Sequence, residues 1–236
     1  MTMRRFRSPP PAPLLALAAL SAGLAGTLAA QADPDKSVAG GGSFPASWHA
    51  RTDWSARTGQ APSLENVKFV AMGTGYHATM GPAALFWRDA DTVSGGYRVT
   101  VAITQTKNPE HPEAYGMFFG GRHLADSAQA YTYFLVRAVD GKFSIRRRAG
   151  YAARPTAVVE WTAHDAVAKA DSATGRATNE LTVAVAGGTA SFLVNGTEVH
   201  TVRADSIDTA GIVGYRVNHN LDVHLGPLTV RRTGAR

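Results

Sequence analysis

Residues 179–199 read NELTVAVAGGTASFLVNGTEV, and the two turns inside this stretch decide the architecture. Gly187-Gly188 and Asn195-Gly196 are two-residue loops that supply the positive φ a tight hairpin needs. Closing the first sets Leu181, Val183 and Val185 with Ala190, Phe192 and Val194. Closing the second brings Val199 opposite Phe192. One apolar face then runs through three consecutive strands, and a slip of one residue would turn all of it to solvent. Asn195-Gly196-Thr197 also matches a glycosylation sequon, but turn chemistry alone accounts for these residues.

Asp140-Gly141 is a third signal of the same kind. A two-residue loop there pairs Val136 with Ile145 and Ala138 with Phe143. Phe134, Val136, Ala138, Phe143 and Ile145 fall on one apolar face, and Tyr131, Tyr133, Leu135, Arg137, Ser144 and Arg146 on the other. Further strands are expected over 67–72, 76–80, 83–88, 97–104, 114–120, 156–161, 212–217 and 221–231, with one helical turn near 164–170. Within YHATMGPAALFWR, residues 76–88, Gly81-Pro82 forces a bend between two strands. Beyond it, Ala84 and Phe86 alternate with Leu85 and Trp87, which predicts a strand covered on both sides. So many short antiparallel strands in one domain give an all-β, antiparallel two-sheet β-sandwich.

The first residues are expected to be a leader. Arg4, Arg5 and Arg7 precede an Ala/Leu-rich run over 14–28 and an Ala-x-Ala site at residues 30–32. That run falls short of the roughly 20 residues a bilayer span needs, so residues 1–32 are expected to be a signal peptide. The protein is then exported, to the periplasm or the extracellular space, with no stable membrane anchor after cleavage. Residues 33–62 are expected to be a flexible segment, 63–232 the β-sandwich and 233–236 a tail. There is no cysteine, so neither a lipid anchor nor disulfides are available. The formal charge is +6, and removing the three leader arginines leaves +3. Apart from Arg146-Arg147-Arg148 and the terminal Arg231, Arg232 and Arg236, basic residues are scattered, unlike a nucleic-acid-binding stripe.

The order of segments carries a resemblance. YFLVRAVDGKFSIRRR (133–148) is followed by VVEW (158–161), then by residues 179–199, then by GIVGYRVNHNLDVHLGPLTV (211–230). This resembles the concanavalin A-like lectin/glucanase jelly roll, and within it is similar to secreted bacterial 3-keto-disaccharide hydrolase-type domains, over about residues 63–232. Two features depart from that pattern. The E-x-D-x-x-E catalytic strand of the laminarinase type is missing, and YGMFFGGR (115–122) stands where an N-S-G-I-type strand is common. The fold therefore carries over and the chemistry does not. The resemblance implies a carbohydrate or glycan ligand on the concave sheet. It leaves open a glycoside-cleaving enzyme of the same fold and a laminin G-type protein-binding module.

Tyr131, Tyr133, Arg137, Ser144 and Arg146 are the leading ligand candidates, because aromatic faces suit the C–H patches of sugars and polar groups suit their hydroxyls. Tyr76, His77, Trp87 and the tip residues Asn218 and His219 could join them from neighbouring strands. No two carboxylates are placed together for glycoside hydrolysis. There is no nucleophile elbow, no phosphate-binding loop and no histidine cluster with metal spacing. No cofactor is expected. The resemblance admits calcium, for which Asp89 and Asp91 are the only candidates, without EF-hand spacing.

Overall fold

The computed structural model describes Met1 and residues 35–233, so the expected leader and its cleavage site lie outside the described residues. Fifteen strands follow. The first five are β1 (His49–Thr52), β2 (Val67–Met72), β3 (Gly75–Met80), β4 (Ala84–Val93) and β5 (Tyr97–Gln105). The next five are β6 (Tyr115–Arg122), β7 (Ala130–Arg137), β8 (Lys142–Ala149), β9 (Thr156–Ala163) and β10 (Ala177–Ala186). The last are β11 (Thr189–Val194), β12 (Thr197–Arg203), β13 (Gly211–Val217), β14 (Asp222–Leu225) and β15 (Thr229–Arg232). One sheet has seven strands in the order β1-β4-β13-β6-β7-β8-β9. The other has eight, in the order β12-β11-β10-β5-β14-β3-β2, with β15 pairing β5. Every pairing is antiparallel, and the protein is the expected two-sheet β-sandwich of jelly-roll type.

The turns behave as local chemistry dictates, with two adjustments. The Gly187-Gly188 hairpin keeps the expected register, Val183 opposite Phe192 and Val185 opposite Ala190. At Asp140-Gly141 the loop is wider, because the Gly141 N–H reaches back to the Arg137 carbonyl at 3.1 Å. Phe134 therefore faces Ile145 and Val136 faces Phe143. This correction is a shift of two residues, so both faces keep their membership. In the Asn195-Gly196 hairpin a β-bulge between Phe192 and Leu193 places His200, rather than Val199, opposite Phe192.

Three element boundaries also differ. The expected flexible segment supplies β1, which pairs with β4, and the Gly42 N–H bonds the Val67 carbonyl at 3.1 Å. The expected strand over 221–231 is divided by Gly226-Pro227, since proline cannot donate to the ladder. Near 164–170 there is a hydrogen-bonded turn, Val167 N–H to the His164 carbonyl at 3.0 Å, in place of a helical turn.

The core lies between the sheets. Phe134, Val136, Phe143, Ile145, Leu181, Val183 and Phe192 are all buried in it. Trp48, Phe69, Tyr76, Phe86 and Tyr215 form an aromatic group at one side, Phe69 stacked on Phe86 at 4.4 Å and Trp48 on Tyr215 at 5.4 Å. Fully burying side chains of this size contributes about 1.5–3 kcal/mol each, which replaces the disulfides the chain lacks. Gly81-Pro82 carries the chain from one sheet to the other. Past it, Ala84 and Phe86 enter the core while Leu85 and Trp87 face a second apolar cluster on the opposite side of their sheet, as the alternation predicts.

Candidate functional site

That second cluster sits on the outer face of the seven-stranded sheet. Cross-strand register sets His49, Trp87, Gly214, Phe118, Tyr133 and Arg146 in one row across the sheet. The adjacent row is Arg51, Leu85, Arg216, Gly116, Leu135 and Ser144. The hairpin residues Tyr131, Tyr133, Arg137, Ser144 and Arg146 thus share one face with Trp87, as expected. That face is not open to water, and this corrects the expectation. Tyr131 and Ser144 are 0% exposed, Tyr133 and Trp87 4%.

The reason is a cover of loops. Leu124 packs into the cluster from the 123–129 loop. Arg51 donates to the carbonyls of Leu124 (2.8 Å) and Asp126 (2.6 Å) and lies 3.5 Å over the Tyr151 ring. The Tyr151 hydroxyl closes on the Thr52 carbonyl at 3.0 Å, and Trp54 meets Tyr151 edge to face.

Beneath this cover three distant segments meet at Asp53. Arg216 of β13 clamps it with two bonds, of 3.1 and 2.7 Å, and Arg148 of β8 reaches it at 3.3 Å. Arg148 also donates to the carbonyls of Tyr151 and Ala153, both at 2.8 Å. Both arginines are buried. Burial works against the Arg216 charge, but the Asp53 carboxylate and the adjoining phenols hold its pKa above the ordinary arginine value. Burial pushes the Tyr131 and Tyr133 phenols up, so both are neutral donors at physiological pH. The cluster is incompletely satisfied. The Nε of Arg148, the Nε of Arg216 and the Tyr131 hydroxyl are buried without a partner among the described residues, as is the Oδ1 of Asn218 at the β13–β14 turn. A buried polar atom left unpaired costs about 1–3 kcal/mol.

The margin of the face is half exposed. Arg137 chelates Asp140 at 2.9 and 2.6 Å and lies 4.5 Å over the Trp161 ring. Arg146 bridges Ser144 (3.3 Å) and Glu160 (2.9 Å), and Ser144 donates to the Val159 carbonyl. The Arg137 bond holds Asp140 below the usual carboxylate range. Asp53, Asp140 and Glu160 therefore each already hold a guanidinium.

The remaining candidates sit elsewhere. Tyr76 is corrected to a core position. It shares the inward side of β3 with Ala78 and Met80 and packs 4.8 Å from Trp48. His77 lies on the outer face of the other sheet, opposite His224 and 3.5 Å from Asp222. His219 is held at the β13–β14 turn by Glu113 (2.6 Å) and Asp35 (3.5 Å). Asp89 and Asp91 belong to β4 rather than a loop. His49 lies 3.4 Å from Asp89, and Arg88 chelates Asp91 at 2.8 and 3.0 Å. Among the described residues no group of three or more acidic or histidine side chains is arranged to hold a metal ion. The Asn195 side chain is spent within the fold. Its Nδ2 donates to Ala166 (2.8 Å) and Asn179 (3.0 Å), and its Oδ1 accepts from the Glu180 N–H.

Sequence reasoning missed Asp53, Arg148, Arg216 and Trp161. The only signal was Arg216 itself, a charge inside the apolar strand GIVGYRV.

No family profile matches the sequence, and no curated protein does. Solved structures do. The fold is similar to a carbohydrate binding module, CBM66 from Bacillus subtilis, at 13% identity and TM-score 0.54, covering 70% of this chain and 92% of that one. It is similar to a Bacillus subtilis protein of unknown function with a galectin-like fold, at 11% identity and TM-score 0.53, covering 80% and 90%. It is also similar to a glycoside hydrolase family 16 endo-glucanase from Bacteroides ovatus, at 8% identity and TM-score 0.51, covering 78% and 94%.

Proposed function

We propose that this jelly roll is an exported glycan-binding domain whose ligand is held on the outer face of the seven-stranded sheet. The observation that carries the reading is the half-exposed margin of that face, where Arg137 lies 4.5 Å over the Trp161 ring beside the Arg146–Glu160 pair. Charged hydrogen-bonding groups and an aromatic ring stand side by side there, outside the covered cluster of Asp53, Arg148 and Arg216. Sugar hydroxyls are suited to the former and sugar C–H faces to the latter. Trp161, steadied by Arg137, is the ring best placed to stack on a sugar. Binding without turnover is favoured by the acids on this face. A general acid in glycoside hydrolysis needs a raised pKa, whereas Asp140 is displaced downward and Asp53 and Glu160 are tied to arginines. The two-sheet fold shared with a carbohydrate binding module is consistent with the same reading.

A glycan array probed with residues 33–236, with and without EDTA, tests this, each hit being followed for product release. Saturable binding that survives EDTA and weakens on the order of tenfold in Trp161→Ala is expected, as one lost stacking contact implies. Product release would replace the binding role with a hydrolase. Unchanged affinity in folded Trp161→Ala and Arg137→Ala variants would remove this face from consideration.

A further inference from the structure

The outer face of the eight-stranded sheet carries a charge arrangement that the first site does not use. Arg98 of β5 and Arg231 of β15 stand directly opposite each other, and both are exposed. Like charges opposed on neighbouring strands repel and are ordinarily relieved by an acid close by. Here the other cross-strand neighbour of Arg98 is Ala184. Among the described residues neither guanidinium makes a hydrogen bond or an ion pair. The two line a cavity of ≈ 320 Å³ together with Thr100, Thr229 and Glu180. The register fixes the order along the groove. The arginines come first, then Thr229 opposite Thr100, then Glu180 opposite Ala102. Thr100 and Thr182 share a hydrogen bond of 2.9 Å, which holds the middle hydroxyl in place.

We propose that this groove is a second binding site, for a sulfate or phosphate monoester of a sugar. Paired guanidinium forks match a tetrahedral oxyanion and deliver parallel charge-assisted bonds to it. The threonine hydroxyls can donate or accept next to them. Glu180, at the far end, accepts from the hydroxyls of the carrier and repels a second anionic group. That polarity selects a monoester over a polyanion. The volume is at the small end of known ligand cavities and suits one ring. No residue is shared with the Asp53 cluster, so the two sites succeed or fail separately.

Isothermal titration at low salt with glucose 6-phosphate, glucose 6-sulfate, glucose and inorganic phosphate tests the proposal. At least one ester should bind saturably, glucose should not, and the ester preferred identifies the oxyanion. Because both arginines are exposed and repel each other, R98Q/R231Q should melt at or slightly above the wild-type temperature and lose on the order of tenfold or more in ester affinity. E180Q should weaken the esters while leaving inorganic phosphate unchanged, and Trp161→Ala should alter neither. No saturable ester binding, or equal affinity in R98Q/R231Q, overturns the site. Inorganic phosphate binding as tightly as the esters overturns the sugar part of it.

Discussion

Asp53 is the residue on which the arginine face turns. It is the one carboxylate shared by Arg148 and Arg216, and it sits 163 residues from Arg216 in sequence. Breaking a buried ion pair costs about 3–5 kcal/mol, chiefly because the stranded partner keeps its charge without water. Arg216→Met strands nothing new, since Arg148 remains on Asp53, so its cost should fall at or below the low end of that range. Asp53→Ala strands two buried cations and should cost more. Urea denaturation of both variants checks the order, and an equal or smaller loss for Asp53→Ala would show that the cluster has another anchor. Beyond the Arg216 charge inside an apolar strand, none of this could be seen in the sequence. Asp53, Arg148 and Arg216 lie in three segments that share no spacing, and only the folded chain makes them neighbours.

Elements were more legible, for a physical reason. A two-residue turn with glycine fixes its own register through local φ values, and Gly187 and Gly188 both adopt positive φ. The Asp140-Gly141 hairpin kept its faces although its pairing moved, because the displacement was even. What alternation cannot report is whether a polar face stays wet. Tyr131 and Ser144 look like solvated strand residues, and the loops that cover them come from outside the hairpin. Glycine in a strand interior is a related signal. A Cβ on Gly214 would lie 2.3 Å from the Phe86 carbonyl oxygen and 2.5 Å from the Phe118 ring. Gly214→Ala should therefore push β13 away from β4 and cost about 1–3 kcal/mol or more, as overpacking does. A urea midpoint equal to wild type would mean that the sheet yields there.

At the scale of the molecule, the titrating groups that depart from their ordinary values and can matter near neutrality all pull in one direction. Burial lowers the pKa of His77, against the opposing pull of Asp222 and alongside His224, Lys68 and Lys107. Its folded pKa thus lies below the ordinary 6.5, so the stability it contributes is complete above 6.5 and is lost as pH falls from there through the lower folded value. Asp140 is held low by Arg137. Burial opposes ionisation of Asp222, but the Thr106 hydroxyl, His77 and Lys107 outweigh it. Those two contribute above the ordinary carboxylate pKa, and their share disappears on further acidification. Melting temperature measured from pH 7.5 to 3 should therefore fall in two stages, and His77→Gln should flatten only the first. A single acid-side fall that His77→Gln leaves unchanged would contradict this.

The clasp over the arginine face has one more implication. Arg51 and Arg148 tie the covering loops down largely through main-chain carbonyls, those of Leu124, Asp126, Tyr151 and Ala153. Every residue type carries that acceptor. This part of the attachment is thus indifferent to the side chains at positions 124, 126, 151 and 153, so descendants of this sequence can change the exposed rim while these four bonds remain.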